Sequence, residues 1–176
     1  GRQRGRSVGG GGRGGGRLGR GTGACGGGRW GREAAVWAAI GGRDVAAGGN
    51  CLETADVYSG GAGETMLGDR IAARGLRDRV VIATKSGFPR AQGTPLAGGN
   101  SARNIRVGPE RSLRRLKTDR VDLYWTHVWD RTTPPAEVLR ALPAAAARRA
   151  ILHYGSPHSP ARAIRTASCR DRVSSP

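Results

Sequence analysis

The sequence predicts an α/β protein built on a parallel sheet. RVVIATK (79–85) and VDLYWTH (121–127) are β-branched and aromatic runs of strand length bounded by charge, as strands buried on both faces are. Segments with apolar residues at helical spacing follow each of them. Strand and helix therefore alternate, with connections suited to crossovers rather than hairpins, which is the order of a parallel sheet.

Each element has its own signal. Residues 1–32 carry glycine at about every second position and almost no large apolar side chains, so they cannot bury enough surface to offset their chain entropy and are expected to be disordered. Residues 33–47 are alanine-rich, with Val36, Trp37 and Ile40 near helical spacing and Gly41 and Gly42 weakening the centre. CLETA (51–55) reads as a short strand, and the stretch from Glu64 to Arg74 sets Met66, Leu67 and Ile71 on one helical face. After RVVIATK comes a polar stretch, SGFPRAQGTPLAGGNSARN, whose glycines and prolines predict irregular structure. Gly108-Pro109 is expected to open the next helix, with Leu113 and Leu116 as its apolar stripe. After VDLYWTH, Thr133 is the expected N-cap of a helix that begins near Pro134 and turns Val138, Leu139 and Leu142 inward. ILHYG (151–155) is the last expected strand. The prolines at 157 and 160 then predict an irregular basic tail over 156–176. The organisation expected is thus a Gly/Arg-rich segment (1–32), an ordered part (33–155) and the tail.

The formal net charge of +17 invites a nucleic-acid reading, but its distribution argues against one. Residues 1–32 hold eight arginines and no acid, giving +8; residues 140–176 hold seven arginines against Asp171, giving +6; residues 33–139 hold 15 basic and 12 acidic residues, leaving +3. The middle has the balance of an ordinary domain. The Arg-rich ends lack the interleaved Phe or Tyr on which bases would stack, so binding through them is the weaker alternative. Cys25, Cys51 and Cys169 are odd in number and form no CxxC pair. The spacing of His153, His158 and Cys169 does not suit a metal site. No apolar run approaches the roughly 18 residues of a membrane span, and a cytoplasmic protein is expected.

Chemistry concentrates at strand ends. Tyr58 lies just beyond the first expected strand of the ordered part, Lys85 ends the second and His127 ends the third. Side chains at the carboxyl ends of neighbouring parallel strands converge on one mouth. A phenol beside an ammonium can serve as a general acid, because the cation favours phenolate. A carboxylate near the lysine would hold it charged, and Glu53 is available. The neighbouring loop, SGGAGETMLG, lacks the Gly-Lys-Ser/Thr ending of a nucleotide loop and does not match GxGxxG. Its glycines predict a tight turn into a helix.

The motifs NCLETADVYSGGAGETMLG, VVIATKSGF, SLRRLKTDRVDLYWTH and TPPAEVLRAL resemble, in order, those of the aldo/keto reductase family over roughly residues 50–142. RLGRGTGACGG weakly resembles the family's first strand. The resemblance implies a (β/α)8 TIM barrel, of which about the first half is visible; a complete one takes roughly 250 residues. It implies NADPH-dependent reduction of a small carbonyl compound by an Asp, Tyr, Lys and His tetrad. Tyr58 would be the proton donor, Lys85 the cation that tunes it and His127 the group that orients the carbonyl. The tetrad aspartate falls on Glu53, since this chain reads ETA where the family reads DTA. Asp56 occupies a variable slot of the motif, and Glu64 a position suited to a structural role. A chain that stops halfway is expected to bind NADPH weakly, to be impaired as a reductase and to self-associate through open barrel edges. The alternative within the family is a noncatalytic interaction module on the same fold.

Overall fold

A computed structural model of the chain describes residues 19–21, 48–90 and 93–156. Its strands are β1 (Gly19–Gly21), β2 (Cys51–Glu53), β3 (Val81–Ser86), β4 (Val121–Thr126) and β5 (Ile151–Gly155). Its α-helices are α1 (Ala62–Ala73), α2 (Ala102–Leu116) and α3 (Pro135–Ala147). All five strands are parallel and stand in the order in which they occur in the chain. Adding each strand beside the last through right-handed crossovers places every helix on the same face of the sheet. This is the winding of a (β/α) barrel, and the described part comprises five consecutive strands of that pattern.

The helices pack in sequence, α1 on α2 and α2 on α3. Between them and the sheet lies one core that includes Leu67 and Ile71 of α1, Ile82 of β3, Ile105 and Leu116 of α2, Tyr124 of β4 and Leu142 of α3. Register explains the division of each strand. Glu53 pairs with Ala83, Ala83 with Leu123, and Lys85 with Trp125, so these side chains share the face turned away from the helices. Thr84, Ser86 and Tyr124 occupy the helix face, where all three are buried.

Three expectations need correction. The stretch predicted to be disordered contains β1, whose Gly19–Gly21 backbone pairs with Cys51–Glu53. A strand held by ladder hydrogen bonds needs no apolar side chains of its own, and the pairing falls where RLGRGTGACGG resembled a first strand. The rest of 1–32, the helix expected over 33–47 and most of the tail lie outside the described residues. Helix α2 begins at Ala102, not at Gly108: the Ser101 hydroxyl accepts from the Asn104 amide at 3.4 Å, and Pro109 lies inside the helix. Pro134 rather than Thr133 occupies the cap of α3, because the Thr133 hydroxyl is turned to the Asp130 carboxylate. The polar stretch before α2 is irregular except for a 3-10 turn at Pro95–Ala97.

Candidate functional site

Tyr58 is set by backbone geometry. It opens a 3-10 turn, Tyr58–Gly61, in which Ser59, Gly60 and Gly61 have φ of 50°, 66° and 98°. Three successive left-handed residues swing the chain from the mouth of the sheet into α1, and glycine takes this conformation without strain. A Cβ on Gly61 would lie 2.5 Å from the guanidinium carbon of Arg115 on α2. The first turn of α1 also carries its own anion. Glu64 is fully buried, accepts from the Thr84 hydroxyl at 2.7 Å and pairs with Arg115 at 3.1 Å. A helix start filled by a buried carboxylate does not suit phosphate, so these glycines make a turn and not a phosphate cradle.

The residues singled out in the sequence come together at the carboxyl end of the sheet. The Lys85 ammonium donates to the Glu53 carboxylate, to the Tyr58 hydroxyl at 3.3 Å and to the Thr54 carbonyl at 3.4 Å. It also lies 5.2 Å from the centre of the Tyr58 ring. Parallel register accounts for the first contact: Glu53 pairs with Ala83, two residues before Lys85 on the same face. Glu53 reaches the lysine despite its extra methylene because its side chain is 45% exposed and has room to bend. His127 follows β4 directly, its amide donating to the Ser86 carbonyl at 2.7 Å. Its ring stands edge-to-face with Tyr58 at 5.7 Å and with Phe88 at 4.6 Å. A cation, a phenol and an imidazole thus meet on one side of the sheet, with a carboxylate behind the cation.

Other groups support this set, and of them only Asp56 stood out in the sequence, as a variable position of the motif. Asp56, nearly fully buried, donates its amide to the Lys85 carbonyl at 2.9 Å and accepts from Arg90 at 3.3 Å; its carbonyl accepts from Arg115 at 3.2 Å. Burial first, and then the neighbouring Glu64 charge, push the Asp56 carboxyl up to about 6 against the pull of Arg90 and Arg115. Asp130 goes the other way. Burial opposes its ionisation, but hydrogen bonds from Thr132, Thr133 and the Asn100 amide prevail and hold it well below the usual carboxylate range. Asn100 in turn donates its side-chain amide to the Val128 carbonyl at 2.8 Å. Asp130 and Asn100 so tie the loop before α2 to the segment that carries His127. These partners lie about thirty residues apart in sequence, beyond the reach of any local spacing rule.

Among the described residues no group of three or more His, Cys, Asp or Glu is placed to hold a metal ion. No helix among them is long and apolar enough to cross a membrane.

The geometry has a counterpart in known proteins. A sequence model of the aldo/keto reductase family matches residues 17–174. Norsolorinic acid reductase stcV of Emericella nidulans is 36% identical over 120 residues, which are 65% of this chain and 31% of that protein. Aryl-alcohol dehydrogenase [NADP(+)] of Phanerodontia chrysosporium is 33% identical over 123 residues, 65% of this chain and 32% of that one. Aldo-keto reductase ausK of Emericella nidulans is 36% identical over 129 residues, 70% and 32% of the two chains. The chain spans about a third of the length of these curated relatives.

Proposed function

The chain belongs to the aldo/keto reductase family, and we propose that it carries the proton-donating side of an NADPH-dependent reduction of a small aldehyde or ketone to an alcohol. The observation that supports this reading is the position of the Lys85 ammonium, within hydrogen-bonding reach of both the Glu53 carboxylate and the Tyr58 hydroxyl.

In this reading Tyr58 gives its phenolic proton to the carbonyl oxygen of the substrate. Lys85 stabilises the phenolate left behind, which lowers the cost of the transfer. Glu53 holds the Lys85 ammonium pointed at the phenol. A partly exposed ion pair contributes only about 0–1 kcal/mol to stability, so the pair matters for orientation more than for folding. His127, edge-on to Tyr58, positions the carbonyl oxygen beside the hydroxyl. When bound, NADPH supplies the hydride that the carbonyl carbon accepts. The phenol, ammonium and imidazole suit the reacting end of that cofactor and the carbonyl; the glycine turn, with Glu64 in its helix start, does not suit the phosphates.

The test is carbonyl-dependent loss of NADPH absorbance with an aromatic or aliphatic aldehyde. Wild type is expected to consume NADPH only when the aldehyde is present, and Tyr58→Phe to be slower by roughly a hundredfold or more, the usual worth of a positioned acid. Equal rates for the two proteins would remove Tyr58 from the chemistry.

A further inference from the structure

The stretch between β3 and α2 returns on itself. The Gly99 amide donates to the Gly87 carbonyl at 2.9 Å and the Arg90 amide to the Ala97 carbonyl at 3.2 Å, pairing arm 87–90 with arm 93–99. A Cβ on Gly98 would lie 2.9 Å from the Pro89 backbone, so the two arms touch. The base of this stretch is fixed by Asn100, whose amide donates to Asp130 at 2.9 Å and whose side chain donates to the Val128 carbonyl. Farther along arm 87–90, Arg90 reaches across to the carboxylate of Asp56. Between the two attachments sits Phe88, edge-on to His127.

The two attachments differ in kind. Asp130 accepts several hydrogen bonds and stays ionised well below the usual range. Asp56 has one carboxylate oxygen facing Arg90, while the other, Oδ1, is buried with no hydrogen-bond partner among the described residues. A buried carboxylate oxygen without a partner is costly and rare, so this attachment is the weaker of the two. The charged and titratable groups around Asp56 come from every neighbouring element: the charges of Arg90 from the stretch after β3, Glu64 from α1 and Arg115 from α2, and the neutral Tyr124 hydroxyl from β4. Arg111 of α2 lies near Arg90 and Arg115 in turn. The same Asp56 separates Glu53 from Tyr58 in sequence, and its amide is bonded to the Lys85 carbonyl.

We propose that the Asp56–Arg90 pair is a latch holding arm 87–90, and with it Phe88, against His127 beside the Tyr58–Lys85 pair, so that Asp56 is a positioning residue of the site. The proposal rests on the reductase reading for its catalytic consequence and on geometry alone for the latch. Protonation removes the charge that Arg90 answers. Burial and Glu64 bring that event to about pH 6, so the latch is fastened above this pH and loosens below it.

The experiment is an NMR pH titration of the full chain, reading the Asp56 carboxyl carbon, the Arg90 side-chain Nε–H and the Phe88 ring. Wild type, Asp56→Asn, Arg90→Gln and Arg90→Lys are compared, with steady-state rates measured on the same samples. In wild type the Arg90 and Phe88 signals should move together with the Asp56 midpoint, between pH 5 and 7. Asp56→Asn and Arg90→Gln should show the loosened signals already at pH 8, and Arg90→Lys should recover part of the wild-type position. The two charge-removing variants should lose roughly tenfold in kcat at pH 8, a modest share of what a small misplacement of reacting groups costs, with less change in KM. Arg90 and Phe88 signals in Asp56→Asn that match wild type at pH 8 would overturn the latch, as would an Asp56 midpoint that moves neither. An unchanged kcat in variants whose Phe88 signal has moved would overturn the positioning role. A wild type that shows the linked NMR transition without consuming NADPH would support the latch and count against the reductase reading instead.

Discussion

Glu53 stands where the aldo/keto reductase resemblance implies an aspartate, and its contact with Lys85 bears on what the longer side chain costs. The carboxylate still meets the ammonium, so the charge arrangement is kept with a longer side chain. Glu53→Gln keeps the size and removes the charge. It is expected to lower carbonyl reduction by about tenfold to a hundredfold while leaving the thermal midpoint almost unchanged, because the pair is partly exposed. Circular dichroism melts beside initial rates would check both halves. Asp56 and Asp130 make opposite contributions to the pH dependence of stability. A carboxyl whose folded pKa is raised takes up protons on folding, so the contribution of Asp56 falls as pH climbs from its ordinary 3.8 to about 6 and is constant above that. Asp130 is depressed, so its contribution is present above the ordinary range and is lost as pH falls below it. Asp56→Asn should therefore gain stability over wild type at pH 8 and gain less at pH 4, which chemical denaturation at the two pH values would measure. A positioning residue that lowers stability is a common exchange at functional sites.

The elements were legible where side-chain pattern decides them and obscure where backbone or distant partners do. VVIAT and VDLYWT were readable as strands because β-branched and aromatic runs of that length suit little else. Helix α2 starts six residues before the expected position, at Ala102 and not at Gly108, because a proline near glycine looks like a helix opening while the Ser101 cap is a single weak cue. The physical use of that glycine appears only in three dimensions. A Cβ on Gly108 would lie 2.6 Å from the Tyr124 hydroxyl and 3.1 Å from the Ser86 hydroxyl, which are hydrogen-bonded to each other in the core. Gly108→Ala is expected to force α2 off the sheet or break that bond, at a cost of about 1–3 kcal/mol. Arg115→Leu is expected to cost about 3–5 kcal/mol by leaving Glu64 buried without its cation. Urea titrations of both variants would rank them, with Arg115→Leu the more damaging. The chemistry-bearing residues were readable for a related reason: Tyr58, Lys85 and His127 each sit at or just past a strand end, and parallel pairing brings such positions together. Phe88, Arg90 and Asp130 come from loops whose course no periodicity encodes.

Taken together, five strands in chain order leave two outer edges among the described residues. The β1 edge is three residues of Gly-Arg-Gly, and β5 exposes Leu152 and Tyr154. Edges of this kind pair with other chains unless they are covered. The 176-residue chain is expected to associate in a concentration-dependent way that Leu152→Lys reduces, as sedimentation velocity over a concentration series would show; a single monomer boundary throughout would exclude edge pairing. The basic character of the sequence belongs mainly to its ends, whereas β2, β3 and β4 and the mouth they form lie in the balanced middle part. That middle part brings Glu53, Tyr58, Lys85 and His127 together, and the reductase reading stands or falls with them. The most direct measurement is to incubate the protein with an aldehyde and NADPH deuterated at the hydride position, then to examine the alcohol by mass spectrometry. The expected result is one deuterium on the carbinol carbon with wild type and almost none with Tyr58→Phe. No transfer by wild type, or transfer undiminished by Tyr58→Phe, would contradict it.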